Sequence, residues 1–455
     1  MELVGTDATP LRVAIIGSGP AAFYAADHLL RQDGLRVEID MFERFPTPYG
    51  LVRTGVAPDH QKIKSVTKKF AEVASNPSFR FYGFVELGKD ITVSDLREHY
   101  HQILYATGAQ TDRRMGIPGE DLKGVHSASE FIGWYNGHPD YRDCEFDLSQ
   151  ERVAIVGVGN VAVDVARILC LTPDELATTD IASHALEALS QSRVKKVYLL
   201  GRRGPAQATF TNPAIKELGT LADADVFVLP DEAQLDELSR AVLDASDDRA
   251  TRQKVEILQG YASRKPAGRT RQLSIRFLVS PVELLGNTAG QLVAMRLVKN
   301  ALYQTEAGTL KPKPTDRVEE LSAGLVFRSV GYRGTPLPGV PFNERWGVIL
   351  NEKGRVIDPD SQQPVVGEYC SGWIKRGPIG VIGTNKPDSV ETVNCMLEDL
   401  AHGSILRPPE PQVSEAERLV RERQPNYFSF ADWLRLDALE VANGRAQDRP
   451  RKKFT

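Results

Sequence analysis

A pair of glycines one residue apart occurs twice in this chain, each time between a short apolar run and a stretch of helical character. The first is Gly17-Ser18-Gly19, after Arg12 to Ile16 and before Ala21 to Leu30. The second is Gly157-Val158-Gly159, after Arg152 to Val156 and before Val161 to Cys170. An apolar run that stops at glycine and restarts as a helix must turn sharply, and a residue without a Cβ permits that. Small residues, Ala22 and Ala162, stand three places after the second glycine of each pair, where a helix must approach a sheet closely. The amide N–H groups at each helix start then form an anion site. Each helix leads to another strand, Val37 to Phe42 ending at Glu43, and Val194 to Leu200 ending at Arg202-Arg203. Two such units predict an α/β chain with two Rossmann-like dinucleotide-binding domains.

The two strand ends differ in charge. A carboxylate such as Glu43 accepts hydrogen bonds from the hydroxyls of a free ribose. Two guanidinium groups in that position would meet a 2′-phosphate instead, because their forked donors match its oxygens. The second nucleotide is therefore expected to be NADP(H), and the first to be tightly held FAD, so that two cofactors meet and exchange a hydride.

A length of 455 residues suits about two or three domains. A net charge of -4 argues against general nucleic-acid binding. No apolar run is long enough to span a bilayer, and the first residues lack the pattern of a signal peptide. Cys144, Cys170, Cys370 and Cys395 are scattered, with no Cys-x-x-Cys pair and no zinc-site spacing. A reduced, cytoplasmic setting is expected, with no bound metal. Ile103 to Gln110 and Leu325 to Gly334 read as strands ending in glycine and as the crossings between domains. Residues 232–275 and 405–425 are charged and mixed, and read as exposed helices and loops. RPRKKFT at the C-terminus reads as a loosely held basic tail.

The stretches GSGPAAFYAADHLL, YGLVRTGVAPDH, VGVGNVAVDVARIL, GRRGPAQATF and YCSGWIKRGPIGVIGTNK resemble the adrenodoxin-reductase family, and within it the bacterial ferredoxin–NADP reductases. The similarity runs from about residue 11 to about residue 400. It implies an FAD domain split across both chain ends (1–108 and 329–455) around an NADP domain (109–328). It implies electron transfer from NADPH through FAD to a ferredoxin, an acidic iron–sulfur protein, and through that partner a link to cytochrome P450 enzymes. For FAD it implies contacts at Gly17, Gly19, Ala21, Glu43, Leu51, Leu87, Trp373, Gly380, Val381 and Ile382. For NADP it implies Val158, Gly159, Asn160, Val161, Arg202, Arg203 and Gly380. His60 and Glu217 match a polar pair that the family places by the nicotinamide, where they would orient it or shuttle a proton. One departure is plain: the family carries a glutamate one helical turn before Glu217, where this chain has Ala214.

Other enzymes use two nucleotide units. A disulfide reductase needs a redox cysteine pair, which this sequence lacks. A flavin monooxygenase needs a substrate site, for which no motif stands out, and an idle NADP sensor remains a third reading. An acidic partner needs a basic patch, and Arg252, Lys254, Arg264, Lys265, Arg269 and Arg271 are the candidates by proximity in sequence.

Overall fold

In the computed structural model, which describes residues 3–454, the apolar run LRVAII forms the strand Leu11–Ile16 with all six residues buried. A run apolar on both faces suits a parallel sheet covered on both sides. The strand pairs in parallel with Val37–Glu43 on one edge and Gln102–Tyr105 on the other. The complete sheet has seven strands, in the order Asn351–Glu352, Arg355–Ile357, Pro364–Cys370, Gln102–Tyr105, Leu11–Ile16, Val37–Glu43 and Phe79–Gly83. Pro364–Cys370 lies parallel to Gln102–Tyr105, so a late segment completes a sheet begun at the start of the chain. This first unit comprises residues up to Val56, His60–Thr111 and Gly331–Asn443.

The first sheet carries buried charge. Arg12 Nη2 donates to Asp40 Oδ2 at 2.6 Å, and the Tyr100 hydroxyl donates to the same oxygen at 2.6 Å. Next to Tyr100, His101 accepts at Nδ1 from the Arg12 amide, 3.0 Å away. Burial, and the nearby Arg12 and Arg407 charges, lower the His101 pKa to about 4. A neutral imidazole is thus built into the sheet.

The second unit comprises Ala57–Asp59, Asp112–Val330 and the residues from Gly444 on. Its six-stranded sheet runs in the order Val125–Ser127, Leu325–Arg328, Arg152–Val156, Lys196–Leu200, Arg271–Arg276 and Ala224–Val228, with every pairing parallel. A three-stranded antiparallel sheet, Val279–Gly286, Leu292–Gln304 and Leu310–Ser322, shares a core with it through Val156, Leu200, Met295 and Leu297.

Three expectations need correction. Residues 232–275 do contain helices, Glu237–Asp244 and Arg249–Ala262, but the segment then enters an inner strand of the sheet. Arg276 hides that strand in the sequence; it is buried because Glu232, itself buried, pairs with it at 2.9 Å. The basic tail is not loosely held. Arg449 is buried and donates to the carbonyls of Thr179 (2.9 Å) and Ile181, and buried Lys453 donates to Asn136 Oδ1 at 3.1 Å. A buried cation with carbonyl partners ties the chain down. These residues consequently belong with the second unit, so the late segment of the first unit ends at Asn443 and not at the C-terminus.

Candidate dinucleotide-binding sites

The first glycine turn is closed by backbone geometry. Gly17 has φ +98°, and a Cβ there would lie 2.6 Å from the Ala106 carbonyl oxygen. Gly19 caps the helix Pro20–Leu30 without any side-chain hydrogen bond to the helix start. A Cβ on Gly19 would meet nothing within 4 Å, so the first-turn N–H groups look onto an open cradle. Glu43, at the end of Val37–Glu43, folds back on this turn. Its Oε2 accepts from the Ser18 amide (3.1 Å) and hydroxyl (2.7 Å), and its Oε1 accepts from the Phe45 amide (3.1 Å). Burial raises the Glu43 pKa, while these hydrogen bonds pull the other way. A carboxylate has about four acceptor positions, so one remains for a further donor such as a ribose hydroxyl.

Ala21 meets a turn from far along the chain. A Cβ on Gly372 (φ +78°) would lie 2.6 Å from the Ala21 Cβ. Asp388 holds that turn by accepting from the Gly372 amide at 2.6 Å and the Ser371 hydroxyl at 3.2 Å. Lys375 and Arg376 neutralise Asp388 at 3.3 and 3.5 Å. Trp373 follows, beside Tyr332, and its indole Nε1 is buried without a hydrogen-bond partner. A buried donor left unmade is costly, and fits a polar group bound at this place. Gly380, Val381 and Ile382 run directly into the helix Asn385–Ala401. Here Val381 is 51% exposed and Ile379 72%, an uncovered apolar loop suited to the face of an aromatic ring system. Leu51 is exposed at the start of a short helix, whereas Leu87 belongs to a core cluster with Ile16 and Phe42. The residues of this unit fit FAD.

The second glycine turn repeats the first with a tighter constraint. Gly157 has φ +141°, and a Cβ there would lie 2.2 Å from the Ser329 carbonyl oxygen. Gly159 caps the helix Asn160–Cys170, again without a side-chain cap. The Val158 carbonyl accepts from the amides of Thr209 (3.0 Å) and Phe210 (3.1 Å), and Asn160 Oδ1 accepts from the Thr211 amide (2.8 Å). The loop after the arginine pair is therefore laced to the glycine turn, and Val161 lies partly buried beside it. Arg202 is exposed and Arg203 partly buried. Burial first, and the Arg202 charge second, lower the Arg203 pKa. Among the described residues, no ion pair or side-chain hydrogen bond engages either guanidinium. Adjacent cations without a counter-ion repel, and a dianionic phosphate relieves that repulsion. This unit fits NADP(H).

Comparison with known proteins agrees. Residues 11–199 match the family described as Pyridine nucleotide-disulphide oxidoreductase. A probable ferredoxin/ferredoxin–NADP reductase of Mycobacterium bovis is 46% identical over 98% of this chain and 74% of its own length. The human mitochondrial NADPH:adrenodoxin oxidoreductase is 42% identical, covering 97% of this chain and 90% of its own. The solved structure of Mycobacterium tuberculosis FprA in complex with NADPH superposes with a TM-score of 0.92, at 43% identity, over 98% of this chain and 97% of that one. The chain belongs to the adrenodoxin-reductase family.

In this member of the adrenodoxin-reductase family, the polar pair His60 and Glu217 is distributed over the two units. His60 precedes the short helix Gln61–Lys64 of the first, and Glu217 lies on Asn212–Leu218 of the second. Sequence reasoning missed Arg167. It is buried, pairs with Asp59 and with Asp164 (2.9 Å), and lies 3.7 Å from Glu217. Burial lowers its pKa to about 10, with Glu217 opposing. An arginine inside the apolar helix VAVDVARILC was the available signal. Ala214 lies partly buried against the core, its amide 3.4 Å from the Thr211 capping hydroxyl.

The basic patch proposed for an acidic partner is only partly at the surface: Arg264, Lys265 and Arg269 are exposed, Arg252 and Lys254 are half-buried and Arg271 is buried. Lys254 donates to the Ala208 carbonyl at 2.6 Å, and Arg252 to those of Leu243 and Ser246, each at 2.6 Å. Arg264 lies over the Tyr261 ring, Arg269 donates to the Ala224 carbonyl, and Arg271 is buried at the start of an inner strand. Of the six, Lys265 alone is exposed with no hydrogen bond or ion pair among the described residues. Hydrogen bonds to carbonyls fix several of these side chains without cancelling their charge.

Proposed function

We propose that this chain is an NADPH-dependent ferredoxin reductase, with FAD at the Gly17–Gly19 turn and NADP(H) at the Gly157–Gly159 turn. The observation that carries this reading is the contrast of strand ends: Glu43, with acceptor capacity left, against Arg202 and Arg203, whose guanidinium groups meet no side chain or carbonyl among the described residues. FAD, when bound, supplies the change from hydride acceptance to single-electron release. The chain's own residues bind and align. Glu43 orients a ribose, the amides after Gly19 and Gly159 hold pyrophosphates, and the two arginines select the 2′-phosphorylated nucleotide. Trp373 and the Gly380–Ile382 loop flank the ring system and exclude water from it.

His60 and Glu217 orient the nicotinamide, since hydride transfer requires no general base. His60→Gln is then expected to slow flavin reduction by NADPH in stopped-flow while FAD content stays unchanged; loss of FAD would instead make His60 structural. The ferredoxin passes its electrons onward, with a cytochrome P450 system as the downstream use. A cytoplasmic location is part of the proposal: the four cysteines are free, and among the described residues no helix is long and apolar enough to cross a membrane. The direct test is a purified yellow protein that reduces ferricyanide with NADPH, and cytochrome c only when a ferredoxin is added. A colourless protein, or reduction of cytochrome c indifferent to every ferredoxin in a panel, would count against the assignment.

A further inference from the structure

Tyr49 has a backbone φ of +85°, a left-handed angle that an aromatic residue holds only under constraint. Gly50 follows at +49°, and a Cβ there would lie 3.0 Å from the Gly19 Cα. The Tyr49 amide also donates to the Ser18 carbonyl at 3.0 Å. A strained turn thus rests directly on the glycine that opens the first nucleotide-binding helix.

The constraint comes from the far end of the chain. The Tyr49 ring lies 5.5 Å from Phe23 and 5.7 Å, edge-on, from Trp433. Arg53, on the short helix that follows the turn, stacks over Trp433 at 4.9 Å. The same guanidinium meets Glu440 through both terminal nitrogens, at 2.8 and 2.6 Å. Glu440 is wholly buried, and both Trp433 and Glu440 sit on the helix Phe430–Arg445. A forked, buried pair resists reorientation more than any exposed pair, because neither partner can fall back on water. The ring contacts and the fork together leave the turn little room to relax.

We propose that this C-terminal helix is a wall of the FAD site, with Glu440 as the positioning residue that, through Arg53 and Trp433, holds the Tyr49–Gly50 turn against Gly19. The inference rests on the reading that the Gly17–Gly19 turn holds FAD. When the fork is broken, the turn relaxes towards ordinary backbone angles and the cradle at Gly19 loses its shape.

The test titrates FAD into full-length apoprotein, reads flavin fluorescence, and records thermal unfolding of the same apoprotein. Glu440→Gln and Arg53→Lys break the fork, and Trp433→Phe removes the stacking surface. Arg355→Gln breaks an ion pair with Asp399 elsewhere in the same unit and serves as the reference. The fork variants are expected to weaken FAD binding about tenfold or more, Trp433→Phe by less, and the reference within about twofold. Unchanged FAD affinity in folded fork variants overturns the proposal, as does a loss no larger than that of Arg355→Gln. If a fork variant fails to fold, Trp433→Phe decides by the same criteria. If the unaltered chain takes up no FAD, the reading of the glycine turn falls, and the wall with it.

Discussion

The two nucleotide-binding units of this chain share a turn and differ in what waits at the next strand end. At Gly17–Gly19 the neighbouring carboxylate of Glu43 has already folded into the turn through Ser18 and Phe45. At Gly157–Gly159 the neighbouring cations are attached only by their backbones, Arg202 O accepting from Asn300 and Arg203 O from the Leu278 amide. The first site is braced by its own protein contacts and suits a resident cofactor. The second keeps its charges free for a nucleotide that comes and goes. One local geometry therefore carries two different kinds of side chain at the strand end, a carboxylate tied into the turn and a pair of unneutralised cations.

The shared part of the two sites is tested most severely by Gly157→Ala. The new Cβ would meet the Ser329 carbonyl oxygen at 2.2 Å from a backbone at φ +141°. Such a change is expected to cost about 3 kcal/mol or more of stability. Gly19→Ala, whose Cβ enters open space, is expected to leave the apoprotein's unfolding temperature nearly unchanged while loosening FAD. Calorimetry with cofactor titration separates these outcomes, and equal loss of stability in both variants would show that the open cradle at Gly19 has been misread.

The differing part is tested by the arginines. Arg202→Ala or Arg203→Ala removes a charge-assisted hydrogen bond of about 1.5–3 kcal/mol, raising KM for NADPH roughly ten- to a hundredfold. KM for NADH and the maximal rate are expected to hold, because this binding is uniform along the reaction. Arg203, the more buried of the two, is expected to matter at least as much as Arg202. Steady-state kinetics with both nucleotides checks this, and a proportional loss with NADH would assign the arginines to the fold.

Glu43→Gln probes the opposite end. It keeps the shape but replaces one accepting oxygen with a donor that faces the Ser18 or Phe45 amide, so FAD affinity is expected to fall about tenfold. KM for NADPH is expected to stay as it was. Fluorescence titration and NADPH kinetics on one preparation give both numbers.

A smaller effect separates the units by pH. The folded pKa of His101 is about 4 against an ordinary 6.5. The unfolded chain therefore takes up the proton first. The stabilisation is full above pH 6.5 and is lost progressively as pH falls towards 4. Across that window, hydrogen exchange in Leu11–Ile16 is expected to accelerate more than in Arg152–Val156.

What could be read in the sequence was local. The glycine turns, Glu43 and the arginine pair lie within a few residues of the strands that position them, so spacing alone conveyed them. The start of the strand expected at Val194 shifts only to Lys196. What stayed hidden depends on distant partners. Arg271–Arg276 looked like solvated surface because its arginines are neutralised by groups such as Glu232, met only in three dimensions. Leu87 matched a cofactor contact in the family pattern, yet it is packed into core. Arg167 gains its meaning from Asp59, and Arg53 from Glu440, 387 residues away. No periodicity records such pairs.

The placement of Pro364–Cys370 beside Gln102–Tyr105 has a consequence for biosynthesis. All six strands of the second sheet lie between Val125 and Arg328, so that sheet can be assembled while the ribosome is still translating. The first sheet cannot. Until residue 370 emerges, Gln102–Tyr105 presents a bare edge of unpaired amides and carbonyls, the kind of edge on which nascent chains stick to one another. The sheet begun first is thus the sheet finished last, and its exposed edge is the place where a holding chaperone would be most useful.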